Sequence, residues 1–269
     1  MIKILFFILG SIVGSFLNVC IYRMPLAQSI IRPRSFCSHC KKTILWYDNI
    51  PLLSYLVLNA RCRFCKGKIP FRYFIVELLT AIIFLIFYNL YGLSFSFFFY
   101  IIFICGLIVA TFVDIQHRII PDEISVGGII VGFLLSAING IHLQPTTYKL
   151  QPVLNSLLGI ILGGGIIYLT GVIFDLVYFK LLKKPPIQGE TESMGGGDVK
   201  LLAMIGAFLG WQKALLTFFL APFFGVVIGI VNLLVKKDHT IPYGPFLSLA
   251  ALSALFWADK IFHFLFFVK

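Results

Sequence analysis

Two aspartates in this chain stand where a carboxylate is costly. Asp198 follows three glycines, Gly195-Gly196-Gly197, at the start of the apolar segment Val199 to Leu209. Asp114 closes a different apolar segment, within Thr111-Phe112-Val113-Asp114-Ile115-Gln116-His117-Arg118. An acid in a spanning helix costs on the order of 3 kcal/mol near the centre, so such residues face a cavity or a partner. Two carboxyls that share a water can hydrolyse an amide. One, ionised, takes the water's proton, and the other, protonated, polarises the carbonyl; like charges at close range keep them from ionising together. The helix ends predict that Asp198, at an N-terminus, is the anion and that Asp114, near a C-terminus, is the neutral acid, in a pair that titrates as a unit. Gly195, Gly196 and Gly197 lack Cβ atoms, so they allow unusual dihedrals and close backbone approach. Irregular backbone at membrane depth is tolerated only where it lines protein or a wet cavity, which makes the three glycines the expected docking place for a bound peptide.

A second constellation suits a metal. Cys37-Ser38-His39-Cys40 and Cys62-Arg63-Phe64-Cys65 are CxxC pairs roughly twenty residues apart, the spacing of a four-thiolate zinc ribbon. Cys37, Cys40, Cys62 and Cys65 are the expected ligands of a structural Zn2+, since four thiolates leave no open position for water. A disulfide is disfavoured on the reducing side of a membrane. His39 reads as a loop residue, and Cys20 and Cys105 as buried thiols in apolar spans.

The elements that must position these groups are membrane helices. The 269-residue chain is 59% hydrophobic and 12% charged, outside the soluble globular range. Its net charge of +11 reads as Lys and Arg held in cytoplasmic loops rather than as nucleic-acid binding. The first apolar run, Ile2 to Cys20, has its basic flank (Arg23) after it and no small-residue cleavage site, so it reads as a span and not as a signal peptide. Stretches long enough to cross run from Ile2 to Tyr22, Tyr73 to Leu90, Phe95 to Val113, Ile124 to Ile141, Val153 to Phe179, Ala214 to Val235 and Pro245 to Phe267, with Val199 to Leu209 as a short one. If the short segment also crosses, most basic groups, from Arg32 and Arg34 to Lys236-Lys237, fall on one side.

The expectation is an all-α polytopic membrane protein of about eight transmembrane helices with both termini outside. Residues 1–22 form the first helix, 23–72 a small cytoplasmic zinc-binding domain with four cysteine ligands, and 73–269 the membrane-embedded part. Asp114 and Asp198 then share the cytoplasmic side, with Asp198 somewhat recessed. Lys183-Lys184-Pro185-Pro186 through Met194 reads as a mobile loop, and no internal repeat is evident.

Taken in order, these residues resemble the bacterial type IV prepilin peptidases, relatives of the presenilin-like GxGD membrane aspartic proteases. The resemblance covers nearly the whole chain. It runs through Gly14-Ser15-Phe16-Leu17-Asn18-Val19, Tyr22-Arg23-Met24-Pro25, the cysteine box, Trp46-Tyr47-Asp48-Asn49-Ile50-Pro51-Leu52-Leu53-Ser54-Tyr55, Arg72-Tyr73 and Val76-Glu77-Leu78-Leu79. It continues through Asp114, Ile120-Pro121-Asp122, Gly195 to Lys200, and Ile241-Pro242-Tyr243-Gly244-Pro245-Phe246.

The resemblance implies that Asp114 and Asp198 are the catalytic pair. It also implies that prepilins and pseudopilins are cut at the cytoplasmic face of the bacterial inner membrane, after a short basic leader ending in Gly. Many members also methylate the new N-terminal residue with S-adenosylmethionine, an activity associated with the segment that is 23–72 here. Members often carry a Gly shortly before the second CxxC, in a position linked to methylation. This chain has Asn59-Ala60-Arg61, a mild change unless φ > 0 is required. Asp122, Glu123, Glu190 and Glu192 are the local acids available to a basic leader.

Other readings remain at this point: a peptidase without methyltransferase activity, methylation alone, a zinc-stabilised scaffold, or a carboxylate-dependent transporter. A transporter predicts related carboxylate-bearing halves, and none is evident.

Overall fold

The computed structural model describes residues 2–142, 150–182, 195–236 and 242–266. Lys183, Lys184, Glu190, Glu192 and Lys237 lie outside the described residues. The helices are α1 (Ile2–Arg23), α2 (Leu53–Val57), α3 (Arg72–Tyr91), α4 (Phe95–His117), α5 (Asp122–His142), α6 (Gln151–Asp175), α7 (Gly196–Leu209), α8 (Trp211–Lys236) and α9 (Gly244–Phe266). Among the described residues there are no strands, only two isolated bridges. Among the described residues, six helices are long and apolar enough to cross a membrane: α1, α3, α4, α5, α6 with its π-helical extension, and α9. Helix α8 is apolar over Trp211–Val227. At 14 residues, α7 spans about 21 Å, short of the ~30 Å hydrocarbon core.

The chain forms two compact units, Met1–Val109 and Ala110–Lys269. In the first, α1 and α3 pack backbone to backbone. A Cβ on Gly10 would lie 2.7 Å from the Ala81 Cα, and one on Gly14 would lie 2.7 Å from the Glu77 Cα. Lipid is as apolar as any side chain, so helices in it associate through such close contact at small residues. Phe6 stacks on Tyr88 at 4.0 Å, which fixes the other end of the pair. Between these helices in sequence lies a loop-rich segment, anchored by the buried Arg23. Its guanidinium donates to the Ser29 and Pro33 carbonyls at 2.9 and 2.8 Å.

In the second unit the shortest helix is the most enclosed. Every residue of α7 from Leu201 to Phe208 is buried, the pattern of a helix apolar on all sides. Gly159 of α6 and Gly206 of α7 meet so closely that neither could carry a Cβ. The hydroxyls of Ser136 and Ser156 both donate to the Ala207 carbonyl, at 3.2 and 2.8 Å, satisfying a terminal acceptor that α7 leaves open. Gly210, at φ 81, then stops the helix.

Candidate active site

Asp114 sits in the last turn of α4 and is buried. That turn closes at Arg118, whose left-handed backbone (φ 56) lets its N–H donate to the Asp114 carbonyl at 2.9 Å. Asp198 sits in the first turn of α7, half-buried, with its N–H donating to the Gly195 carbonyl at 3.0 Å. The two carboxyls are close enough for the Asp114 charge to act on Asp198. Ends of two helices thus bring together acids that are far apart in the chain.

The three glycines serve the site without unusual dihedrals. Gly195 is extended (φ −66, ψ 132) and caps α7, while Gly196 and Gly197 are its first residues. None has a positive φ. Their lack of side chains matters in two other ways. Gly195 and Gly196 leave exposed backbone at the helix start, where N–H groups have no intrahelical partner. Gly197 lets Ile120 approach, since a Cβ there would lie 3.2 Å from that of Ile120.

Two residues join the site that the sequence did not mark for it. The Gly244 N–H, at the first residue of α9, donates to Asp114 Oδ2 at 2.8 Å. A Cβ on Gly244 would lie 2.8 Å from the same oxygen, so the glycine is required for the approach. A helix N-terminus therefore meets Asp114 as well as Asp198, and Arg118 adds a positive charge. The helix-end argument that set Asp198 apart as the anion no longer separates the pair, because it counted only the dipole of the helix carrying each acid. Tyr243, one residue earlier, is the second. Burial and then the Asp198 carboxylate push its phenol up to about 12, so it stays a neutral O–H donor near the acids. Pro242 and Pro245 mark a helix start in this stretch, but nothing in the sequence pairs it with Asp114.

The expected metal ligands also converge. Cys37, Cys40, Cys62 and Cys65 present sulfurs that all lie within 4.8 Å of one another, with Cys37 and Cys65 Sγ 3.8 Å apart. A tetrahedron with Zn–S bonds of ~2.3 Å has edges of ~3.8 Å, so the donor set fits zinc. All six cysteines are free.

The two CxxC turns are copies of one another. Lys41 donates to the Cys37 carbonyl and Lys66 to the Cys62 carbonyl, at 2.9 and 3.0 Å. Both lysines are left-handed, at φ 59 and 58, and each turn ends in an antiparallel bridge, Phe36 to Thr43 and Arg61 to Lys68. This local repeat escapes a search for long periods because it is only a turn long. His39 stays outside the cluster, with Nε2 3.3 Å from the Lys68 carbonyl.

Residues 8–91 match the bacterial peptidase A24 N-terminal domain, and residues 101–230 match the type IV leader peptidase family. Over 275 residues the chain is 31% identical to a prepilin leader peptidase/N-methyltransferase of Legionella pneumophila, covering 93% of this chain and 89% of the relative. The chain belongs to the type IV leader peptidase family. Another such relative, from Myxococcus xanthus, is 36% identical over 228 residues, 85% of this chain and 62% of the relative's length. One from Pseudomonas aeruginosa is 29% identical over 280 residues, 94% and 90% of the two chains. No solved structure matches. Within a leader peptidase, the paired carboxyls of the second unit and the cysteine cluster of the first are the two features with evident chemistry.

Proposed function

We propose that this protein is a prepilin leader peptidase and N-methyltransferase of the bacterial inner membrane. It cuts the basic leader from type IV prepilins and pseudopilins at the cytoplasmic face, then methylates the new N-terminal residue. What supports the peptidase reading above all is the meeting of Asp114 and Asp198 at helix ends, beside the Gly244 N–H, in a chain of this family. We assign residues 73–269 to proteolysis and 23–72 to zinc binding and methylation, with both acids on the cytoplasmic side, a reading that the bias of Lys and Arg supports.

The residues divide the work of hydrolysis as follows. Asp114, whose Oδ2 already accepts the Gly244 N–H, acts as the carboxylate and takes a proton from water. Asp198 holds the proton of the pair and donates it toward the scissile carbonyl oxygen, stabilising the charge that develops as water adds. The proton gained by Asp114 then passes to the leaving amine, and Asp198 recovers its proton from the gem-diol oxygen as the product carboxyl forms. Exposed backbone at Gly195 and Gly196 receives the extended substrate at the mouth of the pair, with Gly197 closing on Ile120.

Cys37, Cys40, Cys62 and Cys65 would hold one structural zinc, tying the halves of the 23–72 segment together. S-adenosylmethionine supplies the electrophilic methyl group when bound. Incubating the purified protein with a prepilin, with and without S-adenosylmethionine, and weighing the products tests both activities. Loss of the leader reports the peptidase, and a gain of one methyl group only with the donor reports the transferase. An unchanged prepilin mass would overturn the reading.

A further inference from the structure

The first unit contains a cavity of about 590 Å³, lined by α1, α3 and the segment that carries the cysteines. That is within the ~300–1,000 Å³ usual for small-molecule sites. The close packing of α1 on α3 aligns Asn18 with Tyr73 and Glu77, and all three line the cavity.

The polar groups here differ in how far their hydrogen-bonding capacity is used. The Asn18 amide donates to the Tyr73 carbonyl at 3.0 Å, which fixes its orientation. Its Oδ1, on a residue only 1% exposed, accepts nothing among the described residues. Glu77 Oε2 accepts the Leu52 N–H at 2.8 Å, and the Ser15 hydroxyl also reaches this carboxylate. A carboxylate has about four acceptor sites, so capacity remains. Of the cations on this wall, Arg23 is held by backbone carbonyls, Arg63 by Asp48 in a two-point pair at 2.8 and 2.6 Å, and Lys42 lies over the Phe64 ring; Arg34 and Lys68 also line the cavity and suit the carboxylate of a zwitterionic ligand. Buried acceptors left open beside tyrosine rings suit a ligand that brings its own positive charge and N–H donors. An open acceptor at Asn18 would be a net cost to folding if nothing bound there.

We propose that this cavity is the S-adenosylmethionine site, with Glu77 and Asn18 as the acceptors for its cationic, N–H-bearing groups and the rings of Tyr22 and Tyr73 among its apolar walls. The inference rests on the methyltransferase reading above and extends its site from residues 23–72 onto the flanking helices α1 and α3, which carry Asn18, Tyr22, Tyr73 and Glu77. It also gives a role to Leu52, whose strained backbone (φ 61, ψ −50) is pinned by Glu77, so the Trp46–Leu52 loop and the carboxylate hold each other in place.

The test is direct binding to the full-length protein in detergent, by calorimetry with S-adenosylmethionine. Glu77→Gln keeps an oxygen for the Leu52 N–H and removes the charge; it is expected to weaken binding by about tenfold or more. Asn18→Leu is expected to do the same. As a measurement that needs no variant, photocrosslinking of labelled S-adenosylmethionine to the wild-type protein should label peptides containing Tyr22 or Tyr73. If wild type binds and methylates but the label falls elsewhere, or Glu77→Gln binds as tightly as wild type, the site is wrong while the methyltransferase reading stands. If wild type neither binds the donor nor methylates, that reading fails and the inference with it.

Discussion

The Gly244 N–H donates a 2.8 Å hydrogen bond to Asp114 Oδ2 across 130 residues of sequence. The bond brings the start of α9 onto the acid at the end of α4, and it works only because residue 244 has no side chain. In Gly244→Ala the new Cβ must displace the carboxyl, which leaves the fold of α9 intact but misaligns the pair. Misplacing one reacting group costs on the order of tenfold to a hundredfold in rate. Leader cleavage under kcat conditions is therefore expected to fall by about that much, with the protein still folded by thermal unfolding and gel filtration.

The twin CxxC turns predict one zinc per chain. Metal analysis of the purified protein should find it, and Cys62→Ser should lose it. The segment from Arg23 to Arg72 has few buried side chains of its own, so a metal held by the four thiolates would carry much of its folding energy. Limited proteolysis within residues 23–72 is expected to accelerate in Cys62→Ser or after strong chelation. Unchanged proteolysis would separate the segment's stability from the metal.

Ala60 sits at φ 57, where its N–H donates to the Tyr55 carbonyl at 2.9 Å and its carbonyl accepts from Ile69 at 2.8 Å. Both bonds hold a left-handed backbone that an alanine side chain opposes by about 1 kcal/mol or more. Ala60→Gly is accordingly expected to stabilise the 23–72 segment by about 1 kcal/mol, read as slower proteolysis there. The condition under which this departure from the family pattern matters, a positive φ, is met.

Much of this architecture was legible in the sequence because lipid imposes simple demands. Each crossing helix needs a long apolar run, and the runs ending at Tyr22, Leu90 and Val113 lie on α1, α3 and α4. The two acids stood out because charge at such places is expensive. The contact between Gly244 and Asp114 was hidden, since no local pattern reports which helix start faces which helix end. The dipole of each acid's own helix, all that the sequence offers, favours Asp198 as the anion, and the start of α9 at Asp114 is not part of that pattern. Three successive glycines point to conformational freedom, yet these residues are extended or helical, and what counts is the space they leave. The positive φ at Ala60 was likewise invisible, because alanine rarely announces a left-handed turn.

The central claim is that Asp114 and Asp198 act as one unit, and single-turnover leader cleavage by Asp114→Asn, Asp198→Asn and the double variant tests it most directly. Each single variant is expected to lose essentially all cleavage, with the double no worse than either, as groups acting together require. Both should keep S-adenosylmethionine-dependent methylation of a prepilin supplied already cut. Cleavage near the wild-type rate by either folded single variant would contradict the account.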